Sequence, residues 1–260
     1  MAGDGTAGAR PPVGLVVPAV LGLCFLGLPL VGLLARTPWA DLPAQLAEPA
    51  VVEALRLSLV CATSATVLCL VTGVPLAWLL ARAEFPGRRL VRAVVTVPLV
   101  LPPVVGGVAL LLVFGRRGLL GQHLPVSLPF TMAGVVVAEA FVAMPFLVIA
   151  VEGALRGADR RYEEAAATLG AGRWLTFRRV TLPTIAPGVA AGAVLCWARA
   201  LGEFGATITF AGNFPGRTRT MPLAVYLALE TDPQAATVLS VLLLAVSVLV
   251  LVSLRERWVR

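Results

Sequence analysis

Six long apolar stretches dominate the sequence, and each is close to the length that a helix needs to cross a bilayer, about 20 residues. Charged residues make up only 13% of the chain and hydrophobic residues 58%, whereas soluble domains carry about 25% charged residues. The sequence therefore predicts an all-α, polytopic membrane protein with six transmembrane helices. We place one transmembrane domain at 13–254, with spans at about 13–35, 54–81, 93–115, 130–151, 184–204 and 235–254.

The third apolar stretch contains many helix-breaking residues. Three prolines and two glycines lie within ten residues: Pro98, Pro102, Pro103, Gly106 and Gly107. Proline removes a backbone N–H and clashes with the preceding turn, so a regular helix is disrupted here. Irregular backbone at membrane depth is tolerated only against protein or a water-filled cavity. This span is therefore predicted to line a translocation pathway; a kinked packing helix is the alternative.

The basic residues indicate how the chain is oriented. All 21 are arginines, and they are scattered over short loops, which argues against a nucleic-acid surface. If the N-terminus is inside, about two thirds of them fall in cytoplasmic segments, as the positive-inside rule expects. Both termini are then cytoplasmic: a short tail at 1–12, which we expect to be disordered, and a tail at 255–260. The predicted location is the cytoplasmic, or inner, cell membrane.

A charged, amphipathic segment at 156–183 separates the fourth and fifth spans. Residues 163–169 suit a short helix, because they are rich in alanine and have acidic residues in the first turn. Gly170 and Gly172 can end that helix, and residues 173–181 suit a second one. The segment offers apolar and charged surface to water, which predicts a docked partner; a solvated hairpin without a partner is the alternative.

One motif in this segment resembles a known family. Glu-Ala-Ala at 164–166 is followed after three residues by Gly170 and after nine more by Val-Thr-Leu-Pro at 180–183. The pattern resembles the EAA loop of ABC-importer permeases, which implies the type I ABC-importer permease fold and a helix that docks on a cytoplasmic ATPase. The residues that the resemblance assigns to ATPase coupling are Glu163, Glu164, Ala165, Ala166, Gly170, Val180, Leu182 and Pro183.

Charged side chains inside the apolar stretches mark further candidates. Arg199 and Glu203 are four residues apart and can pair along one helix face. An unpaired charge at membrane depth is costly, so the pair either belongs to the translocation pathway or is a purely structural salt bridge. Glu139 lies within the fourth span, where a functional role and a role as a capped or paired packing residue are both open.

The segment after the fifth span is predicted to be an external loop. It carries Asn213, Arg217 and Arg219 together with hydroxyls and glycine amides. Such groups suit a tetrahedral oxyanion. The loop can equally be a docking surface for a binding protein.

The stretch P-L-V-L-P-P-V-V-G-G resembles the third-span motif of molybdate and sulfate permeases. Two further stretches are similar to molybdate-type ABC permeases: L-G-E-F-G-A-T and A-G-N-F-P-G-R-T-R-T-M-P-L-A-V-Y. Sulfate permeases share the framework but differ in the segment after the glutamate, so sulfate or tungstate is the alternative substrate. The resemblance implies a homodimer with two cytoplasmic ATPase subunits and an extracytoplasmic molybdate-binding protein. ATP and magnesium are expected on the ATPase partners, and no cofactor on this chain.

An enzymatic function is a remote alternative. The sequence lacks the phosphate-binding pattern G-x-x-x-x-G-K-[ST], so we do not expect this chain to hydrolyse ATP alone. It also lacks H-E-x-x-H and G-x-S-x-G. We therefore expect no catalytic residue and no metal site, but a transport subunit.

Overall fold

The structure is a computed structural model that describes residues 13–255, and within this range it contains helices and no strand. The fold-class prediction is confirmed; the predicted tail at 1–12 lies outside the described residues, as does the predicted tail at 255–260 apart from Arg255, which ends the last helix. A 3₁₀ turn occupies Gly121–His123, and a π-helical turn occupies Phe177–Thr181. The α-helices are α1 (Val13–Arg36), α2 (Leu42–Ala47), α3 (Pro49–Arg82), α4 (Arg88–Val100), α5 (Pro103–Phe114), α6 (Met132–Gly157), α7 (Arg161–Thr168), α8 (Arg173–Thr176), α9 (Leu182–Leu201), α10 (Gly205–Phe210), α11 (Met221–Thr231) and α12 (Pro233–Arg255).

Five helices in the described range are long and apolar enough to cross a membrane: Gly14–Arg36, Pro49–Arg82, Met132–Gly157, Arg173–Leu201 and Pro233–Val250. They overlap the predicted first, second, fourth, fifth and sixth spans. The third apolar stretch does not form one helix, because it is divided between α4 and α5. The exact span boundaries and the count of six stay predictions.

The break in the third stretch follows from its prolines. Leu101 has an extended backbone (φ −70°, ψ 129°), as does Pro102 (φ −54°, ψ 131°). A residue that precedes proline is disfavoured in the helical region, and both of these residues precede one. Pro103 then starts α5, at the first helical position, where no N–H is needed. Two half-length helices therefore replace a continuous span.

Small side chains bring the central helices close together. Ala62, Ala65 and Ala77 of α3 and Ala143 of α6 are fully or almost fully buried in the main core, where α9 also packs. Small residues let helix backbones approach closely, which drives helix association in membranes. By contrast, the membrane-length window of α1 contains no buried residue. The core that positions the rest of the molecule is therefore α3, α6 and α9.

The region of the predicted fifth span differs from expectation in two ways. The helix starts at Arg173 and not at 184, because the second helix of the 156–183 segment continues through the π turn into α9. Leu182 N–H donates to Phe177 O, five residues back, a widened turn placed just before Pro183, which lacks an N–H. The helix also ends at Leu201, and the apolar helices α10 and α11 follow where a span end and a loop were predicted.

Candidate functional site

The turn after α7 depends on Gly170, which has a left-handed backbone with φ +83°. Gly170 N–H donates to Ala167 O at 3.0 Å, and Ala171 N–H donates to Ala166 O at 3.0 Å. These two bonds are those of a Schellman motif, which satisfies the last carbonyls of a helix. A Cβ on Gly170 would meet nothing within 4 Å. The position therefore requires glycine for its backbone conformation and not for lack of space.

The segment 161–176, which we name the coupling loop, presents large apolar side chains to solvent. Tyr162 is 63% exposed, Leu169 88% and Trp174 73%. Glu164 is exposed on the same short helix. The coupling loop therefore presents both large apolar side chains and a carboxylate at its surface.

The residues assigned to ATPase coupling do not all lie at the surface. Glu163 Oε1 accepts hydrogen bonds from Arg82 Nη2 at 3.1 Å and from Thr181 Oγ1 at 3.0 Å, so its carboxylate is engaged inside the chain. The assigned positions that are exposed are Glu164, Ala165, Gly170 and Pro183, and those that are half-buried are Glu163, Ala166, Val180 and Leu182.

Glu152, near the end of α6, is the centre of a second ion-pair cluster. Its Oε1 lies 2.5 Å from Arg92 Nη2 and 2.6 Å from Arg156 Nη2. Arg92 also donates to the Leu80 carbonyl at 3.4 Å, and Arg88 Nε donates to the same oxygen at 2.8 Å. Sequence reasoning did not find this cluster, although the four-residue spacing of Glu152 and Arg156 is a usable signal.

The glycines of the split third stretch bring α5 against α10. A Cβ on Gly107 would lie 2.6 Å from Thr209 Cβ and 2.9 Å from the Ala206 carbonyl oxygen. A Cβ on Gly205 would lie 2.9 Å from Pro103 Cβ. Gly106 is also buried, whereas Pro98 is half-buried and Pro102 is exposed. The prediction that these residues line a pathway is untested, but the close packing of α5 on α10 is a property of the fold.

We expect Gly107→Ala to destabilise the protein by about 1–3 kcal/mol, because the methyl group would overlap backbone atoms that cannot rotate away. Equilibrium unfolding in mixed detergent micelles measures this change. The matched control is Gly153→Ala in α6, where a Cβ meets nothing within 4 Å. Alanine favours a helix over glycine, so the control should be neutral or stabilising. A Gly107→Ala variant as stable as the parent would contradict the tight α5–α10 contact.

Arg199 and Glu203 form the predicted pair at the end of α9. Arg199 Nη2 lies 2.6 Å from Glu203 Oε2, and Ala206 N–H donates to Glu203 Oε1 at 2.8 Å. The Glu203 side chain is 1% exposed and that of Arg199 is 27% exposed. Glu203 thus spans the break between α9 and α10, held by a guanidinium on one side and a backbone amide on the other.

Glu139 lies on α6 and is only 1% exposed. Its Oε2 accepts no hydrogen bond from the part of the chain that the structure describes. Arg199 pairs with Glu203 and not with Glu139. The predicted paired packing role of Glu139 therefore has no cationic partner among residues 13–255.

The predicted external loop joins α10 to α11, and several of its polar groups form hydrogen bonds with one another. The Phe214 carbonyl accepts N–H bonds from Arg217, Thr218 and Arg219 at 3.0–3.2 Å. Arg219 Nε donates to Asn213 Oδ1 at 3.0 Å. The N–H groups of 217–219 thus point to one carbonyl, and the expectation that the arginines, hydroxyls and glycine amides of this loop suit an oxyanion stays a prediction. The Arg217 side chain belongs to an exposed residue.

Comparisons with known proteins agree with this geometry. The chain is 48% identical over 255 residues to the molybdenum transport system permease protein ModB of Mycobacterium tuberculosis, covering 95% of this chain and 97% of that protein. It is 38% identical over 244 residues to the sulfate transport system permease protein CysT of Escherichia coli, covering 91% and 88%.

A solved structure of a bacterial alginate ABC transporter, in complex with an alginate pentasaccharide-bound periplasmic protein, matches with a TM-score of 0.77 and 18% identity. The match covers 94% of this chain and 92% of that chain, so the two share a fold. Residues 73–260 match the family model described as "Binding-protein-dependent transport system inner membrane component". The chain therefore belongs to the family of binding-protein-dependent transport system inner membrane components, the ABC-importer permeases that its EAA-type motif resembles.

Proposed function

We propose that the chain is the permease subunit of an ATP-driven importer that moves molybdate into the cytoplasm. The observation that carries the proposal is 48% identity to a molybdenum permease over nearly the full length of both proteins. Identity to the sulfate permease is lower, at 38%. Of the two stretches that are similar to molybdate-type permeases, one lies at the α9–α10 break and the other runs from the α10–α11 loop into α11.

The assembly that we propose has two copies of this chain and two cytoplasmic ATPase subunits that carry ATP and magnesium. An extracytoplasmic molybdate-binding protein delivers the anion. The exposed apolar surface of the coupling loop supports the ATPase contact. The arginine distribution supports cytoplasmic termini and a cytoplasmic coupling loop. The exposed Arg217 loop on the opposite side suits the binding protein or the anion.

In the proposed cycle, closure of the two ATPase subunits draws the two coupling loops together. Because α8 continues through the π turn into α9, displacement of the coupling loop acts directly on the fifth span. The short helices α5 and α10 pack on each other through Gly107 and Gly205, so movement of α9 also acts on the split third span. The permease then alternates between inward-facing and outward-facing states around the pathway that these elements line.

Uptake into proteoliposomes tests this function. The vesicles contain the chain with its ATPase, and the binding protein and radiolabelled molybdate are added outside. We expect uptake that requires ATP and the binding protein, resists a large excess of sulfate and is competed by tungstate. Uptake abolished by sulfate would assign the chain to sulfate transport, the second candidate favoured by the 38% identical relative.

A further inference from the structure

We propose that Glu163 is a positioning residue that ties the coupling loop to the end of α3, and through it to α4, the first half of the split third span. This inference rests on the proposed function, because it concerns how a movement at the ATPase surface reaches the membrane. Glu163 would act through Arg82 and not by touching the ATPase or the anion. The surface contact on the same helix falls to its neighbour Glu164, which is exposed.

The helix α7 is not held by buried apolar side chains. None of its residues is buried. A cleft of about 540 Å³ separates it from the end of α3 and is lined in part by Arg82, Ala171 and Phe177. Across this cleft, Glu163 bonds to both Arg82 and Thr181. The carboxylate therefore fixes α7 to two elements at once, in place of an apolar contact.

The ion pair between Arg82 and Glu163 is largely shielded from solvent. The Arg82 side chain is only 8% exposed and that of Glu163 is 24% exposed. An ion pair that is largely removed from water is weakly screened, and loss of one partner leaves the other charge stranded. A movement of α7 should therefore displace Arg82 together with Glu163. An exposed pair on a mobile surface would transmit much less.

Hydrogen bonds connect the end of α3 to α4. The Leu80 carbonyl, two residues before Arg82, accepts hydrogen bonds from Arg88 and Arg92 of α4. Arg92 is paired in turn with Glu152 of α6. The last turn of α3 is therefore bonded to the coupling loop on one side and to α4 on the other. A shift of α7 reaches the split span through two consecutive polar contacts.

The test compares the wild-type complex with Glu163→Gln and with the charge swap Arg82→Glu/Glu163→Arg. The readout is the number of molybdate ions taken up per ATP hydrolysed, in proteoliposomes with the binding protein present. We expect the Glu163→Gln complex to assemble with the ATPase and to hydrolyse ATP. The number of ions that it transports per ATP should fall at least about fivefold, which is the lower end of known couplings between sites. The charge swap should restore most of the ratio that Arg82→Glu alone loses.

The matched control is Arg89→Gln. Arg89 is an exposed arginine of α4, between the two arginines that bond to Leu80, and it forms no ion pair within residues 13–255. The Arg89→Gln complex should transport as many ions per ATP as the wild type, whereas the Arg92→Gln complex should transport fewer. A merely structural role would change thermal stability in detergent and leave the ratio of ions to ATP unchanged.

Two results would overturn the inference: an unchanged ratio in Glu163→Gln, or a charge swap no better than Arg82→Glu alone. Either result, obtained with a wild-type complex that transports molybdate, leaves the proposed function intact. Failure of the wild-type complex to transport any oxyanion would instead contradict the proposed function.

Discussion

The variant Arg199→Met is expected to be less stable than the parent protein by about 3–5 kcal/mol. Glu203 is 1% exposed, and its Oε2 lies 2.6 Å from Arg199. Without the guanidinium, a buried carboxylate keeps only the Ala206 amide as a partner. Equilibrium unfolding in mixed detergent micelles measures the difference.

The double variant Arg199→Met/Glu203→Gln should regain most of the lost stability, because a neutral amide no longer needs a counter-ion. Arg117→Met is the matched control, since Arg117 is exposed in the segment between α5 and α6. The free energy of unfolding of Arg117→Met should lie within about 0.5 kcal/mol of that of the parent protein. If Arg199→Met were as stable as this control, the ion pair would contribute nothing to the fold.

The variant Gly170→Val is expected to abolish ATP-dependent uptake while the protein still inserts and remains folded in detergent. A left-handed backbone costs a residue with a side chain about 1–2 kcal/mol, and a β-branched residue is worst placed there. The Schellman motif would be lost, and α7 would present Glu164 and Leu169 in another direction. Proteoliposome uptake and the thermal midpoint of the purified complex measure the two effects separately.

Gly172→Val is the control that isolates the backbone effect. Neither glycine would place a Cβ within 4 Å of another atom, but Gly172 has φ −66° and ψ 158°, which any residue adopts. Gly172→Val should therefore transport. Gly170→Asn should retain part of the activity, because asparagine tolerates the left-handed region better than valine. Normal uptake by Gly170→Val would contradict the coupling role of this turn.

Features that depend on nearby residues could be predicted from the sequence. The apolar stretches predict the long helices, the prolines predict the break at 101–102, and the glycine at 170 predicts the turn after α7. The pair Arg199–Glu203 follows from the four-residue spacing, although α9 ends at Leu201 and Glu203 lies in the break after it. In each case the deciding interaction lies within one or two helical turns.

The contacts that span the sequence could not be predicted. Arg82 and Glu163 are 81 positions apart, and Arg92 and Glu152 are 60 apart. Their pairing depends on how α3, α4, α6 and α7 pack, which no local pattern specifies. The early start of the fifth helix was missed for a related reason. Pro183 suggests a helix start, but the helix continues through that position, with a widened turn directly before it.

That widened turn changes the angular relation between the coupling loop and the fifth span. A regular helix advances about 100° per residue, so a turn with one extra residue rotates everything before it by about that angle. α8 and α9 are therefore consecutive parts of one helix, but the side chains of α8 are rotated about the helix axis relative to those of α9. Trp174, which is 73% exposed, lies on α8, on the far side of this offset from α9. In the proposed importer, movement along the helix axis and the choice of the face that docks on the ATPase are therefore specified by different parts of the same helix.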